Sequence, residues 1–189
     1  MIDEEAIKKH VRGIIAALGE DPDREGLIET PERVAHMYQE VFEGINYTNR
    51  EIADMFGKTF TSPSDSGSDM VVVKDIDAFS FCEHHMALMY DMKITVAYIP
   101  CGRVIGLSKI VRIAEMVTKR LQLQERIGTD IAEIIMMATG SSDVAVIIEA
   151  NHSCMTARGI KNSRSKTKSS HLYGRFESEP HLYDRVVNS

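Results

Sequence analysis

The sequence has few cysteines, no tryptophan and no long apolar run. Cys82, Cys101 and Cys154 are its only cysteines among 189 residues. An odd, small number argues against a disulfide framework and leaves metal ligation or a reactive thiol as uses for sulfur. The apolar stretches fall far short of a membrane span. The first ten residues, MIDEEAIKKH, are charged and carry no apolar signal core, so export is not expected and the cytoplasm is the default location. Positive charge is also in short supply. The net charge is −6, which excludes a general attraction to nucleic acid or to anionic membranes. Aromatic residues make up 6% of the chain, too few to suggest stacking platforms for nucleic-acid bases.

What is present is ordinary for a soluble globular chain of one compact domain, or a core with an appendage: 43% hydrophobic and 26% charged residues. Ala6, Ile7, Val11, Ile14, Ile15 and Leu18 fall on one helical stripe, with Gly19 as a stop. Residues 20–29 read as a loop. Thr30 reads as an N-cap with Pro31 at the first helical position, and Val34, Met37, Tyr38 and Val41 continue that helix toward Gly44. A short helix is expected from Asn49 to Phe56. Residues 61–69 (TSPSDSGSD) have linker composition, placing a boundary between an N-terminal helical region, 1–69, and a second domain, 70–189.

Beyond that boundary the periodicity changes. MVVVKD (70–75) reads as a strand, and Met92, Ile94, Val96 and Tyr98 alternate with Asp91, Lys93, Thr95 and Ala97 as a half-buried one. Pro100, Cys101 and Gly102 form a turn, VIGL (104–107) a return strand, and Ser108 a helix cap. One helix follows through Leu121 and a second from Gln124 to Thr139, ending at Gly140. DVAVIIEA (143–150) and the stretch to about Phe176 read as further strand. The order predicts an α+β fold: an antiparallel sheet with a helix pair on one face.

FCEHH (81–85) is the densest chemical segment. The C-x-x-H spacing of Cys82 and His85 lets a tight turn grip one ion. His152 and Cys154, two apart on an expected strand, would present a distant second half on one face, with Cys101 as the competing third ligand. Three protein ligands and an open fourth position describe a catalytic zinc site. His84 and His152 would then stand beside an acidified water as acid and base. The alternative is a closed structural site with His84 or His152 as fourth ligand. Ser108, Lys109 and Arg112 sit at a helix start and could bind phosphate, or simply form a solvated first turn. A second basic run contains Arg158, Lys161, Arg164, Lys166, Lys168 and Arg175, with no acidic residue between Asn151 and Phe176. It begins four residues after Cys154, so a metal and a small phosphorylated ligand are expected together. Glu125, beside Gln124, reads either as a favourable first-turn charge or as an acceptor for two adjacent N–H groups of a purine.

FCEHH, VAYIP (96–100), VIGLSKIVRI (104–113), LQLQERI (121–127) and HSCMTARGI (152–160) together resemble the GTP cyclohydrolase I family, in order and from about Thr30 to about Phe176. The resemblance implies a tunnelling fold (T-fold) whose subunits form rings that stack into a homodecamer, with active sites at subunit interfaces. It implies conversion of GTP and water to formate and 7,8-dihydroneopterin triphosphate, the first step toward tetrahydrofolate and related pterins. Zinc would be held by Cys82, His85 and Cys154. His84 and His152 would be catalytic, and Gln124 and Glu125 would read guanine. Ser108, Lys109, Arg112 and Arg158 would bind the triphosphate, with Arg33 reaching a neighbouring subunit's phosphates. Water activated at the metal would attack guanine C8. Ring opening, formate release, ribose rearrangement and closure would follow. Two departures stand out: MALMYDMK (86–93) lacks the glycine that relatives often carry before the lysine, and SRSKTKSS (163–170) is unusually basic. Related readings fit less well. A nitrile reductase of the same fold needs a nucleophilic cysteine and a nicotinamide cofactor, and the pterin synthases of that fold typically use three histidines. A non-catalytic zinc module would bind metal without turnover.

Overall fold

The computed structural model describes residues 1–62 and 69–188, so most of the expected linker at 61–69 lies outside the described residues. Among these, no helix is long and apolar enough to cross a membrane.

The N-terminal region is helical, as its periodicity predicts. Helix α1 spans Glu4–Ala17 and is capped by the Asp3 side chain, which accepts from the Ala6 N–H at 3.0 Å. Its apolar stripe is only partly covered: Ile15 is buried, while Ile14 and Leu18 are exposed. Helix α2 spans Thr30–Val41, and its N-cap is Glu29, one residue earlier than expected. Helix α3 spans Asn49–Phe56, the predicted limits, because Thr48 and Glu51 form a reciprocal capping box.

Strand β1 (Thr59–Thr61) pairs antiparallel with β4 (Arg103–Ile105). This corrects the expected return strand: β4 turns away from its neighbour in sequence and closes a small two-stranded sheet instead. The main sheet has the order β5-β2-β3-β6-β7. Its members are β2 (Val71–Cys82), β3 (Ala87–Tyr98), β5 (Leu121–Gln122), β6 (Val144–His152) and β7 (Thr167–Leu172). All pairings are antiparallel except β2 with the short β5. Strand β2 is twice as long as the MVVVKD segment suggested, because bulges at Val73/Ile76 and Ala78/Ser80 let it continue to the cysteine.

Helices α4 (Leu107–Thr118) and α5 (Gln124–Thr139) cover one face. Period 2 on the strands meets period 3.6 on the helices. Met92, Ile94, Val96 and Tyr98 of β3 and Val144, Val146 and Ile148 of β6 pack with Ile110, Ile113, Val117, Ile127, Ile131, Ile134 and Ile135. Gly140 ends α5 in a left-handed conformation, φ +75°. The N-cap of α4 is Gly106, so Ser108 lies inside the helix and caps nothing. The opposite face also carries cover, which the expected arrangement did not include. There, short helix α7 (Arg175–Ser178) and α8 (Pro180–Val187) bring Phe176, Leu182 and Val186 onto Ala97, Ile99, Ala145 and Ile147. This is why β6 is buried on both sides.

Candidate metal centre and active site

The metal half of the site is built at one end of the sheet by two segments far apart in sequence. Strand β2 ends at Cys82, and a turn reverses the chain into β3. Met86 takes φ +49° there. The turn is tied to the helix layer: the Glu83 N–H donates to the Gln122 carbonyl at 3.0 Å, and Arg126 donates to the Glu83 carboxylate at 2.6 Å. That guanidinium holds the Glu83 carboxyl below the usual carboxylate range.

The second segment leaves the sheet at His152, which pairs with Met89. Cys154 is not on the strand. It lies in the short helix α6 (Ser153–Thr156), so the expected same-face alternation of His152 and Cys154 does not hold. The reason is local: Ser153 Oγ donates to the Leu88 carbonyl at 2.7 Å and Tyr90 Oη to Thr156 Oγ1 at 3.2 Å, curling the chain back over β3. One ligand atom each from Cys82, His85 and Cys154 then lie within 4.8 Å of one another. Two thiolates on one tetrahedral zinc stand roughly 3.8 Å apart when each bond is about 2.3 Å, so the cluster is compatible with zinc. Thiolate with imidazole is also a donor set that suits that ion. Burial pushes the Cys154 thiol up, the Cys82 sulfur adds to this, and Arg158 pulls the other way. Cys101, the competing third ligand, is exposed in the turn before β4 and is not part of the cluster.

The flanking residues sort clearly. His84 is exposed on the turn beside His85, ring centroids 6.4 Å apart. His152 is half-buried, and its Nε2 is 2.8 Å from Gln124 Oε1. Burial lowers its pKa, against the opposing pull of the Glu125 carboxylate. Glu125 is exposed in the first turn of α5. Gln124, expected as a partner in reading guanine, is 2% exposed with its amide nitrogen directed at the sheet. Arg158 is exposed and close enough to act on Cys154.

The other anion residues are elsewhere. Ser108, Lys109 and Arg112 occupy the start of α4, at the Tyr98 end of the sheet, where the Ile105 N–H donates to Tyr98 Oη at 3.0 Å. The metal end is marked by the last turn of α4, where the Thr118 carbonyl accepts from Ser80 Oγ at 2.7 Å. Ten helical residues, roughly 15 Å, separate these levels. Arg33 is exposed on α2 and paired with Glu29. Within the basic run, Lys166 pairs with Glu149 and Arg175 with Glu179, and Arg164 is exposed.

Two structural groups went unnoticed in the sequence. Ser169 holds the Gln124 amide (3.2 Å) from β7; the period-2 pattern Thr167, Ser169, His171 on that strand was a usable signal. Arg120 joins the N-terminal region to the helix layer, donating to the Gly44 and Tyr47 carbonyls, Asn49 and Asp130; nothing in its neighbourhood in sequence marks it.

A curved, largely antiparallel sheet bearing a half-exposed Cys–His–Cys group, with two further histidines beside it, defines a protein of mixed α+β class with a group that could hold a metal ion. Residues 7–189 match the family described as GTP cyclohydrolase I. The chain is 60% identical to the GTP cyclohydrolase 1 of Ruminiclostridium cellulolyticum, over 98% of this chain and 97% of that protein. It is 57% identical to that of Clostridium botulinum and 58% identical to that of Clostridium acetobutylicum, each over 98% of this chain and 96% of the relative. The chain belongs to the GTP cyclohydrolase I family, and with it to the enzymes.

Proposed function

We propose that the protein is a zinc-dependent GTP cyclohydrolase I, hydrolysing GTP to formate and 7,8-dihydroneopterin triphosphate. One observation carries this reading: three ligand atoms of Cys82, His85 and Cys154 converge at the sheet end where His152, Glu125 and Arg158 also gather. When bound there, zinc supplies Lewis acidity and a water acidified to a pKa of about 7.

The chain's own residues do the rest. Glu125 accepts from the adjacent imino and amino N–H groups of guanine and so sets which face of the purine meets the metal end. His152 moves a proton at the imidazole nitrogen of guanine as water adds at C8 and the ring opens to a formamide. A second hydrolysis releases formate. His84, exposed at the rim, carries protons as the ribose opens, rearranges and closes on the freed amine. Arg158 takes one end of the triphosphate. Ser108, Lys109 and Arg112 take the other, from a neighbouring copy, since a single chain holds them a helix length away. Arg33 reaches a neighbouring subunit's phosphates. The division into an N-terminal helical region (1–69) and a catalytic domain (70–189) follows these roles. We assign the sheet and helix pair to the T-fold, assembled into rings and a homodecamer, in the cytoplasm, where cysteines stay reduced.

The test is turnover of GTP by the zinc-loaded chain, read as formate and as pterin fluorescence after oxidation. His152→Ala should keep zinc and lose ring opening. Normal turnover in that variant sinks the assignment, and a non-catalytic zinc module would give neither product.

A further inference from the structure

Gln124 is 2% exposed although it opens the helix that carries Glu125 into the site. Its amide nitrogen lies 3.1 Å from the Ile148 carbonyl, 3.2 Å from the Thr167 carbonyl and 3.2 Å from Ser169 Oγ. Two of these partners are backbone carbonyls, which only accept. The amide therefore has one sensible orientation: turned over, it would set its own oxygen against two others. Oriented this way, Oε1 faces His152 Nε2 at 2.8 Å. An amide oxygen also only accepts, so Nε2 must be the donor.

We propose that Gln124 is a positioning residue that fixes the ring plane of His152 and keeps a hydrogen on its Nε2, leaving Nδ1 as the ring nitrogen open to the substrate. This rests on the acid–base role given to His152 above. The bond to Gln124 is a tether that holds the ring at Nε2. The tether is stiff because its anchor spans two paired strands, Ile148 on β6 and Thr167 and Ser169 on β7. The same geometry removes Gln124 from guanine recognition by its amide N–H groups, both of which point into the sheet.

The experiment uses the zinc-loaded full chain with GTP and with inosine triphosphate, which lacks the 2-amino group. Gln124→Met keeps length and burial and removes the acceptor. Positioning predicts that kcat falls by about 10²-fold, that KM for GTP stays within about threefold, and that the preference for GTP over inosine triphosphate is unchanged. Ser169→Ala removes the one side-chain anchor without touching substrate, and should lower kcat by roughly two- to fivefold at constant KM. That variant keeps the test decisive where Gln124→Met does not fold. A raised KM with kcat intact, or a lost preference for GTP, would make Gln124 a guanine contact and overturn the proposal. So would unchanged kinetics in Ser169→Ala. The ¹⁵N spectrum of His152, assigned by its loss in His152→Ala, reads the tautomer without turnover. A protonated Nε2 beside a bare Nδ1 is expected for the neutral ring, and the reverse tautomer contradicts it even in a chain that does not hydrolyse GTP.

Discussion

At the Cys82 end of the sheet, one chain supplies a nearly complete constellation: two thiols, three imidazoles, a carboxylate and an arginine. At the Tyr98 end, the same chain offers a hydroxyl, Ser108, and two cations, Lys109 and Arg112, on the first turns of α4, with Lys109 lying 5.9 Å from the Phe56 ring centroid. The first end is held by hydrogen bonds that reach across the turn, the strands and α5. The second is held by the packing of α4, the Ile105–Tyr98 hydrogen bond and the β1–β4 pair. The difference teaches that chemistry and anchoring are divided. The metal end needs fixed atoms at short range, and the end of β2, the turn after it and α6 deliver them. A polyphosphate needs charge at the right distance, and another copy can bring it.

The largest break in this comparison is at the metal end. Cys154→Ser should abolish zinc binding and turnover together, read by metal analysis and formate release, whereas Cys101→Ser should change neither. Retained zinc in Cys154→Ser would move the third ligand elsewhere. At the other end, Lys109→Ala or Arg112→Ala should leave zinc in place and raise KM for GTP by about 10- to 100-fold, the worth of one charge-assisted hydrogen bond. Loss of metal in either variant would mean that the two ends are not independent.

A smaller effect tests how tightly α5 presses on the sheet behind the site. A Cβ on Gly128 would stand 2.1 Å from the His171 ring. Gly128→Ala should therefore cost about 1–3 kcal/mol of stability by overpacking, visible as a lower urea midpoint. His171 itself gives the smallest effect. Burial holds its pKa below the ordinary range, against an opposing pull from Glu125. The unfolded chain then binds more protons just below pH 6.5, so stability is fully present above about that pH and declines as pH falls through it. His171→Asn should make this decline shallower in denaturation measured at several pH values, and an unchanged slope would assign the decline to other groups.

How much of this was legible depended on whether a feature is local. Helix α3 has its predicted limits because Thr48 and Glu51 cap it within one turn, and α5 stops at Gly140 because only its left-handed φ is needed there. The C-x-x-H pair is local too. Choosing Cys154 over Cys101 was not, since it depends on Ser153 and Thr156 bonding to β3. The partner of β4 lies far upstream in β1, where Phe60 pairs with Val104, so sequence neighbourhood suggested the wrong hairpin. Helix α8 is a single short amphipathic stretch after Pro180, too brief for periodicity to mark. Within MALMYDMK, Asp91 adopts φ +48° at a bulge, a conformation that favours glycine, while Asn151 donates to its carboxylate at 3.0 Å. Gln124 was expected to read guanine beside Glu125, and its partners on β6 and β7 come from segments too distant in sequence to be foreseen.

The most direct test of the division between the two ends is complementation. His152→Ala, inactive alone, is co-expressed with Arg112→Ala and assayed at GTP far below the raised KM of the latter, so that any assembly of copies contains both. If one copy supplies the metal end and another the phosphate end, some sites receive both intact halves, and GTP turnover should recover to roughly a quarter of the unaltered level. If each chain completes its own site, no mixture can restore one, and turnover should stay at the sum of the two variants.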